Sequence, residues 1–139
     1  MKAVIQFDGG CVPNPGKKYG SFSISLESFY IERRRFDLGH GTNNEAEFEA
    51  LEAALKELAE ASAKARVNPK FITVHVITDS TIVSNWLEVF RAFKPERCKN
   101  ARRVAMSEYA GRCVALLDYF QRFSVEWQGR DANVAKFGH

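Results

Sequence analysis

The chain has 139 residues, 45% of them hydrophobic, with three cysteines and a formal net charge of +3. That length and apolar content suit one globular domain over 1–139 with a sizeable core. Its apolar runs fall far short of the ~20 residues of a membrane span, and the odd count of Cys11, Cys98 and Cys113, without C-x-x-C spacing, argues against a disulfide framework or a zinc knuckle.

The first apolar run, Ala3-Val4-Ile5-Gln6-Phe7, delivers Asp8 into Gly9-Gly10-Cys11-Val12-Pro13-Asn14-Pro15-Gly16, a carboxylate at a strand end followed by turn chemistry. Residues 20 to 26 alternate strictly and predict a half-buried strand. Phe29 to Phe36 mixes aromatic and β-branched residues with Arg33, Arg34 and Arg35, which predicts a third antiparallel strand near an edge. The period then changes: from Asn44, Phe48, Leu51, Leu55 and Leu58 recur at helical spacing, predicting an amphipathic helix to about Lys64. A strand over 71 to 78 delivers Asp79, a helix over 80 to 92 is broken by Lys94-Pro95, and Val104, Tyr109, Val114, Leu117 and Phe120 stripe a longer helix. The last strand runs from Phe123 to Trp127, ahead of a brief tail from Asp131.

This order predicts an α/β domain with a mixed sheet whose crossovers place helices on both faces. The carboxyl ends of adjacent parallel strands converge on one crevice, so Asp8 and Asp79 should meet there. Glu47, in the first turn of the long helix, would start near the same edge. Three acids from three elements point to a metal site. Each also has an ordinary structural reading. Asp8 could cap a turn, Glu47 lies at capping-box spacing from Asn44, and Asp79 or Ser80 could cap the next helix. The basic run Arg91, Lys94, Arg97, Lys99, Arg102 and Arg103 reads first as a solvated helix face, and Trp86 as a core residue.

The blocks Phe7-Asp8-Gly9-Gly10 with Asn14-Pro15-Gly16, Thr42-Asn43-Asn44-Glu45-Ala46-Glu47, Thr78-Asp79-Ser80 and Trp127 occur in an order that resembles type 1 ribonuclease H. The resemblance covers nearly the whole chain. It implies a ribonuclease H-like fold, a five-stranded mixed sheet flanked by helices, and hydrolysis of the RNA strand of an RNA/DNA hybrid with two divalent ions, giving 5′-phosphate products. Two Mg²⁺ ions about 3.5 to 4 Å apart activate the water and stabilise the leaving alkoxide, and hard oxygen donors suit Mg²⁺ or Mn²⁺. Asp8 at a central strand end is the candidate bridge, with Glu47 and Asp79 each holding one ion.

The resemblance also implies a fourth acid in an Ala-Asp step after the final strand, where this chain reads Ala132-Asn133. Two assignments stand. Asn133 can offer a neutral carbonyl oxygen, or Asp131 can reach in from the loop, its alternative being an N-cap of a terminal helix. Spacing to the helix favours Asn133. The family's loop histidine has no counterpart, since His139 is terminal. For the substrate, Gly9, Gly10 and Cys11 can bring backbone atoms close, and by resemblance Asn14 and Asn44 contact the minor groove, Glu47 senses the 2′-hydroxyl, and Thr42 with Asn14 holds a DNA phosphate. The expectation is a cytoplasmic, monomeric hybrid nuclease with no membrane contact. Its alternatives are a hybrid-binding module without catalysis and a nuclease of the same fold with another nucleic-acid substrate.

Overall fold

Apolar stripes of two periods, alternating on the strands and helically spaced on the helices, set the architecture. A computed structural model of the chain describes residues 1–27, 29–92 and 101–138, with backbone alone for 92 and 101–105. Strand β1 (Lys2–Cys11), β2 (Gly16–Leu26) and β3 (Phe29–Gly41) form a meander, followed by helix α1 (Asn43–Lys64). A short 3₁₀ turn (Pro69–Phe71) leads into β4 (Thr73–Thr78), α2 (Thr81–Ala92), α3 (Ala101–Leu117), β5 (Arg122–Trp127) and α4 (Arg130–Phe137). The five strands lie in the order β3-β2-β1-β4-β5. The meander is antiparallel, and β4 pairs parallel to both β1 and β5. This is the expected α/β fold, except that the crossover helices α1, α2 and α3 share one face of the sheet and the other is met by the terminal α4.

Alternation decides which face of the sheet is dry. Ala3, Ile5 and Phe7 of β1 share one core with Phe22, Ile24, Val74 and Val76 of the neighbouring strands. Phe48, Leu51, Leu55 and Leu58 of α1, Val83 and Leu87 of α2, and Cys113, Val114 and Leu117 of α3 close that core from one side. Trp86 packs against the core edge, 6.3 Å from Phe90 between ring centroids, as expected of an amphipathic helix. Lys18, buried on β2, pairs with Glu49 and ties that strand to α1. On the opposite face Gln6 of β1 meets Asn133 of α4, so among the described residues α4 is the one helix packed there.

Element boundaries correct the sequence expectation in three places. β2 begins at Gly16 and β3 continues to Gly41, because register shifts near Lys17/Tyr19 and Gly20/Phe22 let the polar ends stay paired. The segment between β1 and β2 is therefore only residues 12–15, with cis peptide bonds before Pro13 and Pro15. Phe71 leaves the strand for the 3₁₀ turn and is 67% exposed. Lys94, Arg97, Lys99, Cys98 and His139 lie outside the described residues, as do the side chains of Arg102 and Arg103. Arg91 pairs with Glu88 at 2.8 Å.

Candidate active site

Parallel pairing of β1 with β4 puts Gln6 opposite Ile77, and two residues further along each chain stand Asp8 and Asp79. Glu47 comes to them from α1. Its arrival depends on Gly9, where a Cβ would lie 2.3 Å from the Ala46 carbonyl oxygen and 2.7 Å from the Glu47 nitrogen. Only glycine allows β1 that close to the first turns of α1. The result is a cluster in which ligand oxygens of Asp8, Glu47 and Asp79 all lie within 4.8 Å of one another.

The electrostatics are those of a site short of positive charge. Burial, then the charge of Asp79, raises the Asp8 carboxyl to about 7, against the opposing pull of the Gly9 N–H, of Glu47 and of Arg130. Burial, followed by Asp8 and Asp79, pushes Glu47 well above the usual carboxylate range. A side-chain hydrogen bond joins the two carboxyls. Glu47 Oε2 is buried and has no hydrogen-bond partner. A buried acceptor left unsatisfied is costly, and here it sits among carboxylates that repel. Hard oxygen donors crowded in this way fit a divalent cation such as Mg²⁺ or Mn²⁺.

The ordinary structural readings of Glu47 and Asp79 give way to other residues. Thr42 is the N-cap of α1, and the capping box is completed by Glu45, whose carboxylate accepts from the Thr42 backbone at 3.2 Å. Asn44 has no part in it, so Glu47 is released to the cluster. At α2, Ser80 Oγ accepts from Val83 N at 3.1 Å, so the cap is Ser80 rather than Asp79.

The fourth position is occupied differently from a ligand shell. Asn133 is 2% exposed. Its Oδ1 accepts from Gln6 Nε2 at 3.0 Å and its Nδ2 donates to the Phe7 carbonyl at 3.2 Å, so the whole amide braces β1 just before Asp8. Asp131 is exposed in the first turn of α4 and outside the three-carboxylate cluster. The cap of α4 is Gly129, without a side-chain bond.

The expected substrate residues collect beside the acids. Asn14, Thr42 and Asn44 line a cavity of about 730 Å³ with Asn43, Glu45 and Tyr109. Asn43, which the sequence reading passed over, is the hub of this wall: its Oδ1 accepts from Cys11 N at 2.7 Å and its N–H donates to Asn14 Oδ1 at 3.1 Å. Cys11 Sγ donates to Asn14 Oδ1 at 3.3 Å. The Cys11 N–H is thus spent inside the protein, and the bareness of Gly9 admits the first turns of α1. At Gly10 a Cβ would meet the Tyr19 hydroxyl at 2.9 Å. Tyr109, expected only as part of the α3 stripe, donates to Glu45 Oε2 at 2.8 Å. The Thr42-x-x-Glu45 spacing was the signal for Glu45; none in the sequence marked Tyr109.

Comparison with known proteins adds an independent line. The family model described as RNase H matches residues 1–128. No curated protein sequence matches. Among solved structures, RNase H1 from the halophilic archaeon Halobacterium salinarum NRC-1 superposes with a TM-score of 0.71 at 24% identity, over 96% of this chain and 89% of that one. The N-terminal RNase H domain of rv2228c from Mycobacterium tuberculosis, solved as a fusion with maltose binding protein, gives 0.69 at 26% identity, over 96% and 92%. LC11-RNase H1, solved in complex with an RNA/DNA hybrid, gives 0.68 at 21% identity, over 96% and 89%.

Proposed function

The chain belongs to the RNase H family, and from that premise we propose that it is a metal-dependent endonuclease hydrolysing the RNA strand of RNA/DNA hybrids. The observation that carries the reading is the gathering of Asp8, Glu47 and Asp79, with one buried Glu47 oxygen lacking a hydrogen-bond partner.

Asp8, on the central strand, would hold the cations together with Glu47 and Asp79. When bound, such cations supply a water acidic enough to attack phosphorus and charge to stabilise the departing alkoxide. Carboxylates bind a cation in their deprotonated form, so metal binding at Asp8, Glu47 and Asp79 would release protons. Asp79 is the partly exposed member of the cluster. Asn133 acts through β1, fixing the backbone beneath Asp8. The Asn14 amide oxygen is already taken by Asn43 and Cys11, which leaves its NH₂ to donate to base-edge or ribose acceptors. Asn44 and Thr42 continue that wall, where a 2′-hydroxyl is the feature separating RNA from DNA.

Cleavage of an end-labelled RNA/DNA hybrid with Mg²⁺ or Mn²⁺, beside duplex RNA and duplex DNA, tests this. Cutting of the hybrid alone, abolished by Asp8→Asn, is the expected result. The second reading, a hybrid-binding module, draws on the amide of Asn133 standing where the resemblance implies an acid. Salt-sensitive hybrid binding without product under either metal would establish it instead.

A further inference from the structure

The corner between β5 and α4 is stitched to both acid-bearing strand ends. Trp127 Nε1 donates to the Asp79 carbonyl at 3.0 Å and Gln128 N to the Thr78 carbonyl at 2.9 Å. Three residues into α4, Asn133 takes the Phe7 carbonyl and the Gln6 amide. Arg130 opens the helix between these two anchors, on the stripe that continues through the buried Asn133 and Phe137. That stripe faces the side of β1 that carries Gln6 and Asp8. Arg130 itself is exposed and makes none of the ion pairs found among the described residues. A cation therefore opens the helix that braces β1 just before Asp8, on the element from which the resemblance implies a fourth acid.

Resting on the hybrid-nuclease reading above, we propose that Arg130 is a substrate-phosphate ligand that engages the non-bridging oxygens of the phosphate entering the Asp8–Glu47–Asp79 cluster. A guanidinium fork matches phosphate oxygens bidentately. With three carboxylates and one guanidinium, the site holds less negative charge for cations alone and more attraction for a phosphate arriving with them. Arg130 opposes metal binding before substrate arrives and favours assembly once the phosphate is present.

The test uses the full chain with Arg130→Ala and Arg130→Lys, read by hybrid affinity across a salt series without divalent cations, by Mn²⁺ calorimetry without hybrid, and by cleavage. Arg130→Ala is expected to weaken hybrid binding about tenfold, the scale of a charged hydrogen bond, and to lower the salt slope by about one. It should tighten hybrid-free Mn²⁺ binding while slowing cleavage, a pair of opposite shifts that a merely structural residue would not produce. Lys should restore the salt slope and only part of the affinity. If the native chain binds and cuts hybrid while Arg130→Ala leaves affinity, slope and Mn²⁺ binding unchanged, the assignment of Arg130 is overturned alone. If the native chain neither binds nor cuts hybrid, the nuclease reading falls and takes this one with it.

Discussion

Gly9 and Ala46 meet backbone to backbone: a Cβ on Gly9 would stand 2.3 Å from the Ala46 carbonyl oxygen. This contact sets how far Glu47 reaches toward Asp8. Gly9→Ala is therefore expected to push α1 away from β1, lowering stability by about 1–3 kcal/mol as overpacking does. Metal affinity should fall with it. Thermal unfolding and Mn²⁺ titration check both, and an unchanged titration would show that the cluster does not depend on this approach.

Metal-free stability should fall with rising pH. Asp8 is held at about 7 by burial first and the charge of Asp79 second, against about 4 for a carboxyl in the unfolded chain. Between those values the folded chain keeps a proton the unfolded chain has lost, so this contribution to stability is full below pH about 4 and is lost by pH about 7, on the order of 1.4 kcal/mol per unit. Glu47 shifts in the same direction. Melts in EDTA at pH 5 and pH 8 should show a smaller decline for Asp8→Asn than for the native chain. An equal or larger decline would contradict the raised carboxyl.

Asn133→Ala should destabilise by about 1–3 kcal/mol, since it strips the Gln6 amide and the Phe7 carbonyl of a buried partner. Metal affinity below the melting temperature should drop roughly tenfold, as for other groups that orient a ligand, while Asp131→Ala leaves it unchanged. Complete loss of metal binding in a folded Asn133→Ala protein would make Asn133 a direct ligand.

Glu45 joins two bonds that should not be separable. Its Oε1 accepts from the Thr42 N–H and hydroxyl, and its Oε2 from the Tyr109 hydroxyl at 2.8 Å. Burial first, then that bond, raises the Tyr109 hydroxyl to about 12. Thr42→Ala is expected to lower stability by about 1 kcal/mol, as loss of an N-cap does. In a double-mutant cycle with Tyr109→Phe the two losses should be non-additive. Strict additivity would mean that the two bonds act independently.

How much of this was legible depended on the range of the interaction. Asp8 and Asp79 could be read because an apolar run ends at each, and a strand end fixes where its last side chain lies. The register of the α1 cap could not, because Thr42/Glu45 and Asn44/Glu47 share one spacing, and the choice rests on the extended backbone of Thr42, φ −111°. The ends of β2 and β3 were hidden by Lys17, Lys18, Asp37 and His40, polar residues that pairing alone keeps in the sheet. The role of Asn133 rests on contacts with Gln6 and Phe7, 127 and 126 residues away. No local pattern records a bond of that separation.

The cluster of Asp8, Glu47 and Asp79 draws on a strand, a helix and a second strand from three separated stretches of chain. An unfolded chain offers no counterpart to it, so any cation it captures binds the native state selectively. By mass action, a cation at a hundred times its dissociation constant would add about 2.7 kcal/mol to stability. The melting temperature of this protein should therefore report divalent-ion occupancy, with no nucleic acid present.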